Sequence, residues 1–376
     1  AGIKMIEHIK NYIIQPDFNI DILWSLEKAE EALTSIPLSL CDVISPMGEA
    51  HKNEYYSNGD YWWPDPSKKD GLPYIRRDGE SNPDNFAYHR YALRKTRTMI
   101  AHLARAYMHT KDEKYAQKAV ELLKVFFINK NTKMEPHLLY AQAIPGLYSG
   151  RGIGIIDTLH LTDIPFAVNT LKESKSLTKP LYDSLVDWFS KYLEWMTSHQ
   201  YGIDESNEPN NHSICYYVQV AVFSRFTDNT KMLEHCKEMF VKKVFVQMNN
   251  SGGFDKELNR TKPYAYSLMV LDNYIILCHL LSDKKDDFWQ YQGKYGQGAQ
   301  KAVEFMLPYI LDKSSWPYSR DVMYYDDYPS RMSFMIFAGY VLGIKELIDI
   351  YQSLPCESYV DEVRRNTTIR QPFLWL

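Results

Sequence analysis

The stretch NFAYHRYALRKTRTMIAHLARAYMHTKDEKYAQKAVELLKVFFI, Asn85 to Ile128, decides the fold class. Apolar and aromatic side chains recur three and four residues apart through Tyr91, Ile100, Leu103 and Tyr107, and again through Tyr115, Ala119, Leu122 and Phe126. That is the period of an α-helix with one buried face. The HTKDE between the two runs is short enough to turn one helix back along the other. Comparable pairs follow outward along the chain: DTLHLTDIPFAVNTLKES with PLYDSLVDWFSKYLEWMTSH, HSICYYVQVAVFSRF with TKMLEHCKEMFVKKVFVQM, and AYSLMVLDNYIILCHLLS with YGQGAQKAVEFMLPYIL. SRMSFMIFAGYVLGIKELIDIYQSL reads as one last helix. Strand patterns are scarce, and neither a βαβ alternation nor a glycine-rich phosphate loop occurs. Helix hairpins recurring at roughly fifty-residue intervals either stack as an open solenoid or close into a toroid. The long connections, rich in Gly, Pro, Asn and aromatics, favour closure, because such loops pack over the mouth of a cavity. The expectation is all-α: a single (α/α)6–7 toroid, an incomplete barrel, with residues 1–376 as one domain and an aromatic, lid-like loop at about 51–85.

Composition narrows the function. With 45% hydrophobic and 24% charged residues, the 376-residue chain has material for a large core. A net charge of −4 argues against duplex nucleic acid as a partner. No apolar run reaches the ~18–20 residues of a membrane span, and the N-terminal AGIKMIEHIKN lacks the apolar centre of a signal peptide. Five scattered cysteines without a CxxC pair predict neither a disulfide framework nor a zinc site, and no ligand set calls for a metal or cofactor. The unusual figure is 14% aromatic residues, with 29 tyrosines and 8 tryptophans. Such side chains suit stacking on sugar rings and equally suit packing between helices.

Four polar constellations stand out. NEPNNHSICYYVQV, Asn207 to Val220, sets Asn210, Asn211 and His212 at the start of a buried helix. Capping is the plain explanation. The chemical one is that the N–H groups of a helix start favour a bound carboxylate and a neutral imidazole, so that His212 can take a proton while Asn211 donates hydrogen bonds to an acid group. SGGFDKELNRTKPYAY adds Arg260, a fixed cation, and Tyr266, a phenol, with Tyr264 as a competitor; a surface ion pair and a core tyrosine are the alternatives. HKNEYYSNGDYWWPDPSKKDGLPYIRRDG carries Tyr61, Trp62, Trp63 and Tyr74 ahead of Arg76 and Arg77, a match for an acidic sugar polymer if the rings are exposed. MEPHLLYAQAIPGLYSGRGIGIIDT places His137, Gln142 and Arg151 in a Gly- and Pro-rich connection that can line a cleft.

YWWPDP, RRDGESNPDN, MEPHLLYAQAIPG, GRGIGIIDT, NNHSICYYVQ and ELNRTKPYAY occur in the order seen in alginate lyases of the α/α-toroid type, and the chain resembles that family from about Tyr55 to Tyr266. The resemblance implies a catalytic group of Asn211, His212, Arg260 and Tyr266. It implies cleavage of a uronic-acid polymer (alginate, polymannuronate-preferring, or glucuronan) by β-elimination to 4,5-unsaturated uronides. A hydrogen on C5 beside a carboxylate is poorly acidic, so an enzyme must neutralise the carboxylate, remove the proton and protonate the leaving oxygen on C4. Asn211 and Arg260 serve the first need, and His212 and Tyr266 divide the other two. An acidic polysaccharide as partner implies a periplasmic or secreted location. Two rival readings differ in chemistry: an unsaturated-uronide hydrolase on a similar toroid, using Asp157 with Asp163 or Asp255 as paired carboxylates, and a glycan-binding protein with no catalysis.

Overall fold

Two helices organise the chain, and each forms the hub of its own compact unit. A computed structural model describes residues 19–376; the N-terminal stretch on which the signal-peptide expectation rests lies outside the described residues. One unit comprises Asn19–Glu205 with Phe223–Asp228, the other Ser206–Val222 with Asn229–Leu376.

In the first unit α1 (Asn19–Leu33), α2 (Tyr88–Thr110), α3 (Glu113–Leu123), α4 (Asp163–Leu171), α5 (Lys179–Ser198) and most of α6 (Gln200–Ser206) carry the structure, and α2 packs against α1, α3 and α4. The α2–α3 hairpin is the one expected, with Ile100, Leu103 and Tyr107 buried; Tyr91, assigned to the same face, is 52% exposed. Arg90, Arg97 and Arg105 of α2 recur every two helical turns and so share a face. Each is buried in an ion pair that ties α2 to another segment: Arg105 to Asp21 of α1 at 3.0 Å, Arg97 to Asp163 of α4 at 3.0 Å, and Arg90 to Asp157 at 3.2 Å and to Asp60. Much of the aromatic excess is core here. Phe127 meets Trp188 edge-on at 4.8 Å, and Trp188, Phe189, Tyr192 and Phe223 continue the cluster. The run expected as a helix from Asp157 begins instead as 3-10 turns over Gly152–Thr162 before α4 takes over. Two small sheets complete the unit: β1 (Tyr56–Asn58) pairs in parallel with β4 (Tyr140–Ala143), and β2 (Trp62–Trp63) pairs antiparallel with β3 (Ile75–Arg76).

Helix α7 (Asn211–Phe226) begins in the second unit, where α8 (Thr230–Met239), the single turn α9 (Asp255–Leu258), α10 (Pro263–Leu281), α11 (Ala299–Leu311), α12 (Ser333–Val341), α13 (Lys345–Ser353) and α14 (Asp361–Arg365) follow. The hub is α10, with α8, α9, α11 and α12 packed on it. Among the described residues α10 alone is long and apolar enough to cross a membrane, yet every side chain along it is buried, as befits a core helix. Buried Asp272 on α10 accepts from Ser333 Oγ (2.8 Å) and Phe334 N (2.9 Å) at the start of α12. Burial pushes its carboxyl up to about 6. The last predicted helix is two helices, α12 and α13, because Gly343 adopts φ +68°, a left-handed conformation that ends α12 and turns the chain.

Candidate active site

The second unit gathers the Asn–His pair, the arginine and the tyrosine. Asn210 caps α7: its Oδ1 accepts the His212 N–H at 3.1 Å, and its carbonyl accepts the Ser213 N–H at 3.2 Å. The Asn211 N–H goes to Glu257 Oε1 at 3.3 Å. These contacts correct the expectation that the backbone N–H groups of the helix start face a substrate carboxylate, since protein acceptors already occupy Asn211, His212 and Ser213. They also make Asn210 the cap of α7. Any acid group bound at this helix start must be held by side chains. His212 is half-buried and Asn211 almost fully buried.

Pro263 at the first position of α10 fixes the start of that helix. One turn in, Tyr266 is buried to 4% exposure. The Arg260 guanidinium lies 3.9 Å from the centre of its ring, and Nη2 donates to the phenol oxygen at 3.3 Å. Lys262, 1% exposed, places its ammonium 5.4 Å from the same ring and pairs with Glu362 at 3.3 Å. Two cations therefore bear on Tyr266, an arrangement suited to a phenol that gives up and regains a proton. Glu257 joins the two halves. Its buried carboxyl accepts from Asn211 and lies in the fields of Arg260 and His212; burial pushes it up from the ordinary carboxylate range against those contacts.

Tyr264, a candidate substrate contact from sequence, is a packing residue: it is fully buried, its hydroxyl donates to the Tyr309 carbonyl at 2.9 Å, and Trp316 meets its ring edge-on at 5.1 Å. Tyr266 is left as the phenol at the site.

The remaining candidates lie in the first unit. Tyr61, Trp62, Trp63 and Tyr74 are half-buried rather than free. Trp62 and Trp63 form β2, Trp63 Nε1 donates to the Glu80 carbonyl at 2.9 Å, and Arg77 stacks over Trp63 at 4.5 Å. Arg76 and Arg77 are exposed in pairs with Asp78 and Glu80; such surface pairs are weak and open to exchange. Tyr74 lines an open cavity of about 820 Å³ with Met47, Tyr56, Phe86, Leu147 and Tyr148. His137 is held by Glu54, 2.9 Å from its Nε2, and by the Leu139 N–H on Nδ1; burial lowers its affinity for a proton. Gln142 has φ +49°, and its Nε2 donates to Asp157 Oδ1 at 3.0 Å. Arg151 Nε donates to the Gln142 carbonyl at 2.8 Å. Burial first, and then Arg76, push Arg151 down to about 10, still charged at neutral pH. Gly59 permits this packing, since a Cβ there would sit 2.6 Å from Trp62 and 2.8 Å from Arg151.

The carboxylates of the rival hydrolase reading are committed elsewhere. Asp157 accepts from Tyr55, Ser57, Arg90 and Gln142, and Asp163 pairs with Arg97. Asp255 is exposed and accepts from Asn249. Sequence reading missed Glu257, Lys262 and the arginine stripe of α2. The stripe was visible as a seven- and eight-residue recurrence, whereas burial of a charged residue in ELNRTK leaves no mark in the sequence.

The alginate lyase family model matches residues 45–316, more than half of the chain. An alginate lyase from Bacteroides ovatus is 31% identical, with a TM-score of 0.84 over 98% of this chain and 96% of its own. Alginate lyase A1-III from Sphingomonas species A1 is 13% identical, with a TM-score of 0.55 over 90% of this chain and 88% of its own, a likeness of fold alone. A substituted form of alginate lyase A1-III, complexed with a tetrasaccharide, is likewise 13% identical, with a TM-score of 0.54 over 92% of this chain and 91% of its own. No curated protein matches the chain significantly. The helical fold and these matches define a polysaccharide lyase. The chain belongs to the alginate lyase family.

Proposed function

We propose that the protein cleaves a uronic-acid polymer, alginate with a preference for polymannuronate or else glucuronan, by β-elimination. The observation that carries this reading is the guanidinium of Arg260 on Tyr266, 3.3 Å from the phenol oxygen, with Asn211 and His212 grouped around the same buried Glu257. Asn211 and Arg260 take up charge from the substrate carboxylate as it grows. In D-mannuronate and D-glucuronate the C5 hydrogen and the C4–O bond lie on one face of the ring. There Tyr266 can take the C5 proton and return it to the departing O4, while the C–H electrons become the C4=C5 double bond. Where the two groups lie on opposite faces, His212 is the base and Tyr266 the acid. Arg76, Arg77 and Arg151 supply cations for the polyanion, and Tyr61, Trp62, Trp63 and Tyr74 supply stacking faces on a loop, 51–85, that closes on bound sugar. Such a polymer is extracellular, which supports a periplasmic or secreted location for the protein. The test is incubation with polymannuronate, mixed alginate and glucuronan, following ultraviolet absorbance of the 4,5-unsaturated product. New reducing ends without that absorbance would mean hydrolysis, and neither signal on any polymer would refute the reading.

A further inference from the structure

Arg151 stands apart from the three buried arginines of α2. Each of those meets a carboxylate within 3.2 Å. Arg151 is half-buried, and among the described residues no carboxylate pairs with it. A cation drawn partly out of water without a counter-ion costs free energy, so packing alone gives no reason for it. The hydrogen bonds of its side chain go to a single residue. Nε donates to the Gln142 carbonyl at 2.8 Å and Nη2 to Gln142 Oε1 at 3.4 Å, and both oxygens are neutral. Nη1 donates to no group among the described residues.

Gln142 is itself held from two sides. Its N–H donates to Ser57 Oγ at 2.8 Å, and its side-chain Nε2 donates to Asp157 Oδ1 at 3.0 Å. A non-glycine residue at φ +49° needs its surroundings to hold it there, and these two bonds do so. An amide can turn either its NH2 group or its oxygen to a neighbour, whereas a carboxylate paired with an arginine, as Asp157 is with Arg90, only accepts. Asp157 therefore takes the NH2 side and leaves Oε1 for Arg151. The amide bridges the carboxylate and the guanidinium, which do not pair directly.

We infer that Gln142 is a positioning residue for Arg151: with its sense set by Asp157, it seats the guanidinium on neutral oxygens and keeps it off that carboxylate, so that an uncompensated charge and the Nη1 donors remain for the carboxylate of a bound uronate. The inference rests on the reading that Arg151 binds the polyanion. In Gln142→Met the side chain keeps its length but bridges nothing, so Asp157 loses a donor and draws Arg151 toward itself.

A double-mutant cycle tests this, with the affinity for oligomannuronate measured by calorimetry at low and high salt and kcat measured on polymannuronate. At low salt Gln142→Met should weaken binding by about three- to tenfold, since a half-buried ion pair is screened less than a surface one. The loss should fall on affinity more than on kcat, and the salt dependence of binding should flatten as it does in Arg151→Met. Introduced into Arg151→Met, the same change should cost less than about twofold, because no guanidinium is left to seat. Equal losses in both backgrounds, or an undiminished affinity and salt response for Gln142→Met alone, would overturn the inference. Should Gln142→Met not fold, Gln142→Asn, whose amide is one methylene too short to bridge the two groups, takes its place in the cycle with the same outcomes. Wild-type affinity in Arg151→Met would remove Arg151 from substrate binding and the inference with it; a weak Arg151→Met beside a tight Gln142→Met removes only the positioning role.

Discussion

Replacing Tyr266 with Phe deletes one oxygen and leaves the ring in place. That ring stays buried, with Arg260 3.9 Å and Lys262 5.4 Å from its centre, so packing and both cation contacts survive. The folded state gives up the 3.3 Å hydrogen bond from Arg260 Nη2. That bond is at the long end of the useful range, and its net worth is about 1 kcal/mol. The kinetic loss is of another order. Removing the atom that carries the proton costs ~100- to 10,000-fold in rate, roughly 3–5 kcal/mol of barrier at about 1.36 kcal/mol per decade. The two figures separate chemistry from stability. Turnover, read as the initial rise of ultraviolet absorbance from the unsaturated product, should fall at least ~100-fold. Oligosaccharide affinity by calorimetry should stay within a few fold, and the thermal midpoint within a few degrees. A variant that binds normally and keeps more than about a tenth of the wild-type rate would refute a proton-transfer role for Tyr266.

Tyr264→Phe should show the reverse pattern: near-normal turnover with a stability loss of about 1–3 kcal/mol, since the Tyr309 carbonyl loses its donor; a hundredfold drop in turnover would return Tyr264 to the catalytic group. Asp272→Asn tests the buried acid of α10. Its carboxyl is raised from 3.8 to about 6, so the native state holds that proton more tightly than the unfolded chain does. The stabilising contribution is therefore complete below about pH 4 and lost as pH rises through about 6, on the order of 3 kcal/mol. Relative to Asp272→Asn, the wild type should lose stability across that window in denaturant titrations, and a flat difference would count against the charge argument. Arg151→Met should raise KM on the polyanion several fold and flatten its dependence on ionic strength, because a partly buried, weakly compensated cation is lost; an unchanged salt response would remove Arg151 from substrate binding.

Helical period and turn residues were enough to read the all-α class and the α2–α3 and α10–α11 pairs, and the ordered motifs were enough to read the family. Each of these depends on spacing within one segment, and spacing is a property of the chain itself. Where local rules compete, the reading slipped. Gly343 divides one apolar run into two helices, and the segment before α4 winds as 3-10 turns. Long-range facts were invisible. Tyr264 and Tyr266 lie two residues apart on α10, and only packing against Tyr309 and Trp316 on one side, and Arg260 on the other, tells the core tyrosine from the one at the site. The seat at the start of α7 was legible as a place for an anion. That Glu257 of the protein's own chain takes it, from 46 residues away, was decided by tertiary structure alone, because burial and partnership of a charge are set by contacts that no local pattern encodes.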